Sequence, residues 1–231
     1  MNATAEQIHA GDPTTDPGGE DPMSHDHHRH DHDKGFMANV HWLLKIRKFW
    51  QGDTNRAIVD MVDPQPGENL LDIGAGMGPA TVLAAARGAS VVAVDPSGLM
   101  RSICGVRRLF QRARGRITVE SGTAENLPVA GGSMDALWTV NSVHHWVDLD
   151  LAFAEMARVL APGGRLVLMD EDFTHPDHPM HETHHGHEDE MTAVHVEAIA
   201  ASLGDLGLDA TGQKTVAAGV PVKLIRATKP I

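Results

Sequence analysis

The chain has no tyrosine, a single cysteine, and only five phenylalanines and four tryptophans among 231 residues. One cysteine, Cys104, excludes an intrachain disulfide and suits a reducing compartment. Set on a helix among apolar neighbours, it reads as a small buried packing residue rather than a nucleophile. No apolar run approaches the roughly 20 residues of a membrane span, and the N-terminus is acidic and polar where a signal peptide would be basic and apolar. A soluble, cytoplasmic protein without a membrane partner is therefore expected. Basic charge is also scarce, with 19 Lys and Arg against 31 Asp and Glu. Lacking a basic stripe to neutralise phosphates, the chain is not expected to act on nucleic acid. Its one basic cluster, Arg101, Arg107, Arg108, Arg112, Arg114 and Arg116, reads as a solvated helix face.

The acidity is uneven. Residues 1–33 hold eight acids against Arg29, which places −7 of the net −12 in the first seventh of the chain. Residues 1–35 form a His/Asp-rich tail with Asp-Pro and Gly-Gly steps and almost no apolar side chains. Such a segment cannot bury enough surface to offset the entropy of ordering, so it is expected to be disordered on its own. Met23 is an alternative start. From Phe36 the character changes. Val40, Leu43, Leu44, Ile46, Phe49 and Trp50, then Ile58, Val59 and Met61, recur at helical spacing and predict one or two leading helices over 36–63. The remainder, 36–231, is long enough for one sizeable domain.

Two strand ends carry the chemistry. The buried run Leu70-Leu71-Asp72-Ile73 stops at Gly74-Ala75-Gly76-Met77-Gly78, where glycines permit positive φ and a close ligand approach beside the free N–H groups of a starting helix. A second strand, Val91-Val92-Ala93-Val94, ends in Asp95, 23 residues after Asp72, where a carboxylate can accept from both hydroxyls of a ribose. The glycine spacing departs from the G-x-G-x-x-G dinucleotide fingerprint, and no Lys or Arg lies between Asp72 and Arg87 to meet a phosphate. A phosphate-free, cationic nucleoside ligand fits better.

Five motifs in this order resemble those of the class I S-adenosylmethionine-dependent methyltransferases. They are Leu70–Gly78, Val91–Ser97, the loop Gly122-Thr123-Ala124-Glu125-Asn126-Leu127-Pro128, the strand and loop Ser133–His145, and the turn Leu160–Leu166. The resemblance runs from about Asn39 to Lys229. It implies an α/β, Rossmann-like αβα sandwich whose seven-stranded sheet is mostly parallel with an antiparallel last strand, and S-adenosylmethionine as cofactor. By resemblance Asp72 would receive the methionyl ammonium, and Gly74, Ala75 and Gly76 would pass beneath it. Asp95, followed by Pro96, would hold the ribose, and Thr123, Ala124 and Glu125 would border the adenine. The family often has an acid where this chain has Thr123, so Glu125 or the Thr123 hydroxyl would have to substitute. Periodicity agrees with the alternation, and Leu166-Val167-Leu168-Met169 reads as a strand covered on both faces.

For a hydroxyl acceptor, methyl transfer from a sulfonium asks the protein for alignment, desolvation and a base. Asn141-Ser142-Val143-His144-His145-Trp146 follows the fourth strand. His144, or else His145, is the candidate base, its ordinary pKa of about 6.5 suiting neutral pH, with Asn141 orienting cofactor or acceptor. Trp42, Trp138 or Trp146 could face a sugar ring.

Histidine is the chain's most unusual feature. Five of 16 lie in 25–32 and six in 175–187, within a His-rich segment, 171–195, expected on the acceptor side. The first tract reads as solvated low-complexity sequence. In the second, a helix starting near Met180 would put His181, His185 and Glu188 on one face, at metal-ligand spacing. Asp170, Glu171 and Asp172 lie close by and would suit Mg²⁺ or Mn²⁺, so a divalent site at Asp170, His181 and His185 is an expectation to test.

The loops around the expected pocket are rich in His, Asp and Glu, which favours O-methylation of a small polar acceptor such as a sugar, with a homodimer as an assembly to test for. The same motifs resemble quinone- or phenol-type C- or O-methyltransferases of biosynthesis, whose acceptors are more apolar. A reading from another class is a metal-binding regulatory protein on a methyltransferase scaffold.

Overall fold

The computed structural model describes residues 53–181 and 194–231. The tail, Trp42, Trp50, His184, His185, His187 and Glu188 lie outside the described residues. So do the first part of the expected leading helices and the start of the helix expected near Asp189–Leu203.

In chain order the elements are α1 (Asp53–Val62), β1 (Asn69–Ile73), α2 (Pro79–Ala86), β2 (Ser90–Asp95), α3 (Gly98–Leu109), β3 (Ile117–Ser121), β4 (Met134–Val140), α4 (Leu149–Val159), β5 (Leu160–Glu171), α5 (Val196–Asp205), β6 (Asp209–Ala217) and β7 (Val220–Thr228). Single 3-10 turns sit at Arg114–Arg116 and Val143–His145. Local chemistry sets several helix starts. Pro79 at the first turn of α2 needs no donor there. Ser97 caps α3 by accepting from Met100 N, and Asp148 caps α4 by accepting from Leu151 N.

The strands form one sheet in the order β3-β2-β1-β4-β5-β7-β6. β1 pairs in parallel with β2 and β4, β2 with β3, and β4 with β5. β7 runs antiparallel to both β5 and β6, as the resemblance implies. Successive side chains of a strand point to opposite faces, and here both faces are covered. Leu71, Leu137, Leu166 and Leu168 pack beneath α4 and α5 with Phe153, Met156, Ile199 and Leu203. Leu70, Trp138, Val167 and Met169 pack beneath α1 and α2 with Ile58, Val59, Val62 and Ala84. That two-sided burial explains the uninterrupted apolar run in β5.

β5 is longer than its apolar run suggests. Its pairing to β4 restarts at Leu160 opposite Met134, with a register shift before Ala136 opposite Arg165, so the Pro162-Gly163-Gly164 turn lies inside the strand. Trp138 is fully buried in the sheet and Trp146 is 6 % exposed, with Trp146 packed edge-on against Phe153. Both are core residues, not ring-facing walls. Cys104 is buried with Ala75 and Ala93, and burial pushes its thiol up to about 11, which fits packing and not nucleophilic chemistry. From the centre of the sheet the chain winds one way through β1, β2 and β3 and the other way through β4 and β5. The crevice between the carboxyl ends of β1 and β4 is the switch point where such sheets hold ligands.

Candidate functional site

At that crevice, β1 ends in Asp72, which is 3 % exposed and accepts a 2.5 Å hydrogen bond from the Thr81 hydroxyl at the start of α2. Burial raises its pKa from 3.8 to about 7, against the Thr81 bond, and the charge of Asp95 adds to the rise. A carboxylate in such a place is stabilised by any cation brought beside it.

The turn beyond it is fixed by close approach. Gly74 has φ +67°, and a Cβ there would overlap the Ser142 side chain, 2.1 Å from Oγ. Gly76, with φ +54°, faces open space, since a Cβ built on it would meet nothing within 4 Å. The two glycines do different things: Gly74 admits the β4 exit loop, and Gly76 leaves room beside the backbone for a ligand. Asp95 holds the turn from the neighbouring strand, one oxygen accepting from Gly76 N and the other from Ser97 N, each at 2.8 Å. Each oxygen keeps a further lone pair. Under the turn, the buried Thr139 hydroxyl has no hydrogen-bond partner among the described residues.

The loop after β3 is arranged differently from the expectation. Ala124 is buried in the core. Glu125 turns to the loop before α4, its Oε1 accepting from Val147 N at 3.0 Å and Asp148 N at 3.4 Å. Although burial pushes the Glu125 carboxyl up, its own backbone amide, then the Thr123 hydroxyl and the Val147 and Asp148 amides, hold it below its ordinary value. Glu125 thus braces the two loops through Oε1.

At the exits of β4 and β5 the structure assembles something the spacing did not reveal. Asp170 is buried, and its oxygens accept from the backbone N of Ser142 (3.1 Å), Val143 (3.4 Å) and His144 (3.2 Å) and from His144 Nδ1 (2.7 Å). It both caps the Val143–His145 turn and orients the His144 ring, whose side chain is 12 % exposed. With Nδ1–H donated to Asp170, Nε2 carries the lone pair. The His145 ring lies 4.0 Å from that of His144, centroid to centroid; burial, then the neighbouring His144, lowers its pKa.

Asn141, at φ +51°, points its side chain at β5. Its Nδ2 donates to Glu171 Oε1 at 2.8 Å, and its Oδ1 accepts from Glu171 N at 2.7 Å. This two-point bridge ties the strand exits together.

The expected metal site is not assembled among the described residues. Asp170 is engaged as described, and Glu171 pairs with Asn141 and with His178 Nε2 at 3.0 Å. Asp172 accepts from Thr174 and lies 3.1 Å from Lys214 Nζ and 3.5 Å from Lys223 Nζ. His181 Nδ1 lies 3.2 Å from the Phe173 carbonyl, and His185 is outside the described residues. Among the described residues no three His, Cys, Asp or Glu side chains gather as a metal would require. The signal that would have exposed the His144–Asp170 pair is register. Val140 is opposite Met169, which brings the residues following them side by side.

Residues 71–168 match the family described as Methyltransferase domain, a span that contains Asp72, Asp95, Thr123 and His144. Residues 71–168 thus carry a methyltransferase domain. It is 35 % identical over 114 residues to the methyltransferase GfsG of Streptomyces halstedii, covering 49 % of this chain and 41 % of that one. It is 34 % identical over 127 residues to the ubiquinone/menaquinone biosynthesis C-methyltransferase UbiE of Rubrivivax gelatinosus, covering 54 % and 46 %. The chain thus spans under half the length of these curated relatives. The YcgJ protein of Bacillus subtilis has the same fold, with a TM-score of 0.65 at 18 % identity over 77 % of this chain and 98 % of that one. Among the described residues no helix is long and apolar enough to cross a membrane.

Proposed function

We propose that the protein transfers the methyl group of S-adenosylmethionine to a hydroxyl of a small polar molecule, a sugar or other polyol, with His144 as general base. The observation that carries this reading is the His144–Asp170 pair at the β4 exit, one loop away from the glycine turn, which Ser142 touches through Gly74.

The crevice suits the cofactor. Asp72 offers a buried carboxylate to an ammonium, Gly76 leaves open space beside the backbone, and Asp95 has lone pairs for a ribose diol. The cofactor supplies an activated methyl on a sulfonium. As the acceptor oxygen displaces the sulfur, the hydroxyl proton passes to His144 Nε2, and the neutral thioether leaves. Asp170 holds the imidazole in the tautomer that can take the proton and stabilises the imidazolium that results. A base of this kind contributes about 10²- to 10⁴-fold.

A second reading, methylation of a phenol- or quinone-type ring, is favoured by the similarity to UbiE. Here His144 would take the phenolic proton of the reduced ring, and in C-transfer the hydrogen on the methylated carbon leaves as a proton when the ring rearomatises. Isotope-labelled methyl transfer to a panel of sugars, polyols, phenols and quinones separates the two. Labelled polyol product that falls at least 100-fold in His144→Ala, with unchanged cofactor affinity, supports O-transfer. Product from quinones alone installs the second reading. No transfer to any acceptor, together with tight metal binding, would turn the case toward a regulatory protein on this scaffold.

A further inference from the structure

The His-rich segment after β5 contributes one side chain that neither a metal site nor the base explains. His178 is 4 % exposed. Its Nδ1 accepts from Met180 N at 3.1 Å, so in the neutral ring the proton sits on Nε2, which donates to Glu171 Oε2 at 3.0 Å. The other oxygen of Glu171 accepts from Asn141 Nδ2. A chain of hydrogen bonds therefore runs from His178 through Glu171 to the residue that turns the chain out of β4 at positive φ.

A second route runs through packing. The Phe173 ring stands edge-on to His178, with centroids 4.7 Å apart, and edge-on to His144, 6.4 Å away with planes 87° apart. The backbone that delivers His178 is a succession of turns three residues apart, with His175 N bonded to Asp172 O, His178 N to His175 O and His181 N to His178 O. Pro176 and Pro179 occupy positions whose N–H that succession does not use.

We propose that His178 is a positioning residue for the acceptor-side base: through Glu171 it holds the Asn141 turn, and through Phe173 it sets the face against which the His144 ring rests. This inference rests on the proposed role of His144. It gives one member of the second histidine cluster a framework duty, and it makes the segment after β5 part of the catalytic geometry. Buried hydrogen-bonded networks of this kind fix rotamers that a base alone would sample freely.

The test uses the full chain and two variants. His178→Gln keeps an N–H directed at Glu171, and His178→Ala removes it. Three quantities are read: kcat with the best acceptor, the Kd of S-adenosylhomocysteine, and the NMR resonances of the His144 ring, assigned by comparison with His144→Gln. The expected result for His178→Ala is a kcat about tenfold lower, a Kd within about twofold of wild type, and a displaced His144 ring signal. His178→Gln should recover most of the kcat and of the signal. The proposal is overturned if His178→Ala leaves the His144 signal in place. It is equally overturned if kcat and cofactor affinity fall together and Gln rescues neither, since that is a general structural loss. Should wild-type protein transfer no methyl group at all, the function proposed above fails, while the His144 signal still decides this inference.

Discussion

The two sides of the crevice are built by different means. On the β1–β2 side, backbone does most of the work: a glycine turn, two strand-end acids and a helix start, all within the 26 residues Asp72–Ser97, with Asp95 accepting from amides at Gly76 and Ser97. On the β4–β5 side, side chains hold side chains and loops across long stretches of sequence, Asn141 to Glu171 and His144 to Asp170. The first is a cradle that needs little beyond correct backbone. The second is a network, in which each member depends on the others being satisfied.

If that division is right, Asp95→Ala should give the largest and most one-sided effect. It removes the proposed ribose contact and the brace on Gly76 and Ser97, each a charge-assisted bond worth roughly 1.5–3 kcal/mol. Calorimetry with S-adenosylhomocysteine should show affinity at least about 100-fold weaker, while the His144 ring signal stays as in wild type. A loss smaller than about threefold would remove Asp95 from the cofactor site.

The same division explains what could be read from the sequence. The cradle is local, so apolar runs ending in Gly74, Gly76 and Asp95 announce it, and the family resemblance implies the mostly parallel sheet around it. The network depends on which strand residues face each other. Asp170, Glu171 and Asp172 look like a metal-binding run because an acid string reads the same whether its partners are ions or amides 26–30 residues away. The Glu125 bridge is hidden for the same reason, since nothing in Thr123-Ala124-Glu125 shows that Val147 N and Asp148 N will come to meet it. His178 was one of six clustered histidines until burial and two directed hydrogen bonds singled it out.

Gly74 is where the two sides touch, so Gly74→Ala should damage both. The added Cβ would overlap Ser142, whose Oγ accepts from Trp146 Nε1 at 3.2 Å, and would sit at positive φ. A loss of roughly 2 kcal/mol in unfolding free energy is expected, with cofactor affinity and the His144 signal both disturbed. Thermal melts together with the two binding readouts check this. A variant of wild-type stability that binds cofactor normally would show that the sides are not in contact in solution.

Asp72 sharpens the contrast through pH. Its folded pKa is raised to about 7, whereas an unfolded Asp titrates near 3.9. Between those values the folded chain holds a proton that the unfolded chain has lost. The contribution of Asp72 to stability is therefore fully present below about pH 4 and declines as pH rises through about 7. A cationic cofactor favours the ionised carboxylate, so its affinity should level off above pH 7 and weaken by up to about tenfold per unit below it, with a proton released on binding. In Asp72→Asn that slope should vanish. Titrations in two buffers of different ionisation enthalpy measure the proton directly, and a slope that survives the substitution would assign it elsewhere.

The smallest effect should come from Glu125, which belongs to neither side but joins the loop after β3 to the loop before α4. Glu125→Gln keeps an acceptor at Oε1 while removing the charge, and Glu125→Ala removes both. If the residue is a strut, Gln should be close to wild type and Ala should cost about 1 kcal/mol of stability with a two- to threefold loss of cofactor affinity through loosening of the Thr123 loop. If Glu125 instead met the adenine amino group, the order of effects would change. Gln and Ala would both weaken S-adenosylhomocysteine, and an analogue lacking the amino group would bind the variants and the wild type alike. Because Val147 N and Asp148 N already converge on one oxygen, the strut is the stronger expectation, and the analogue is the measurement that decides between them.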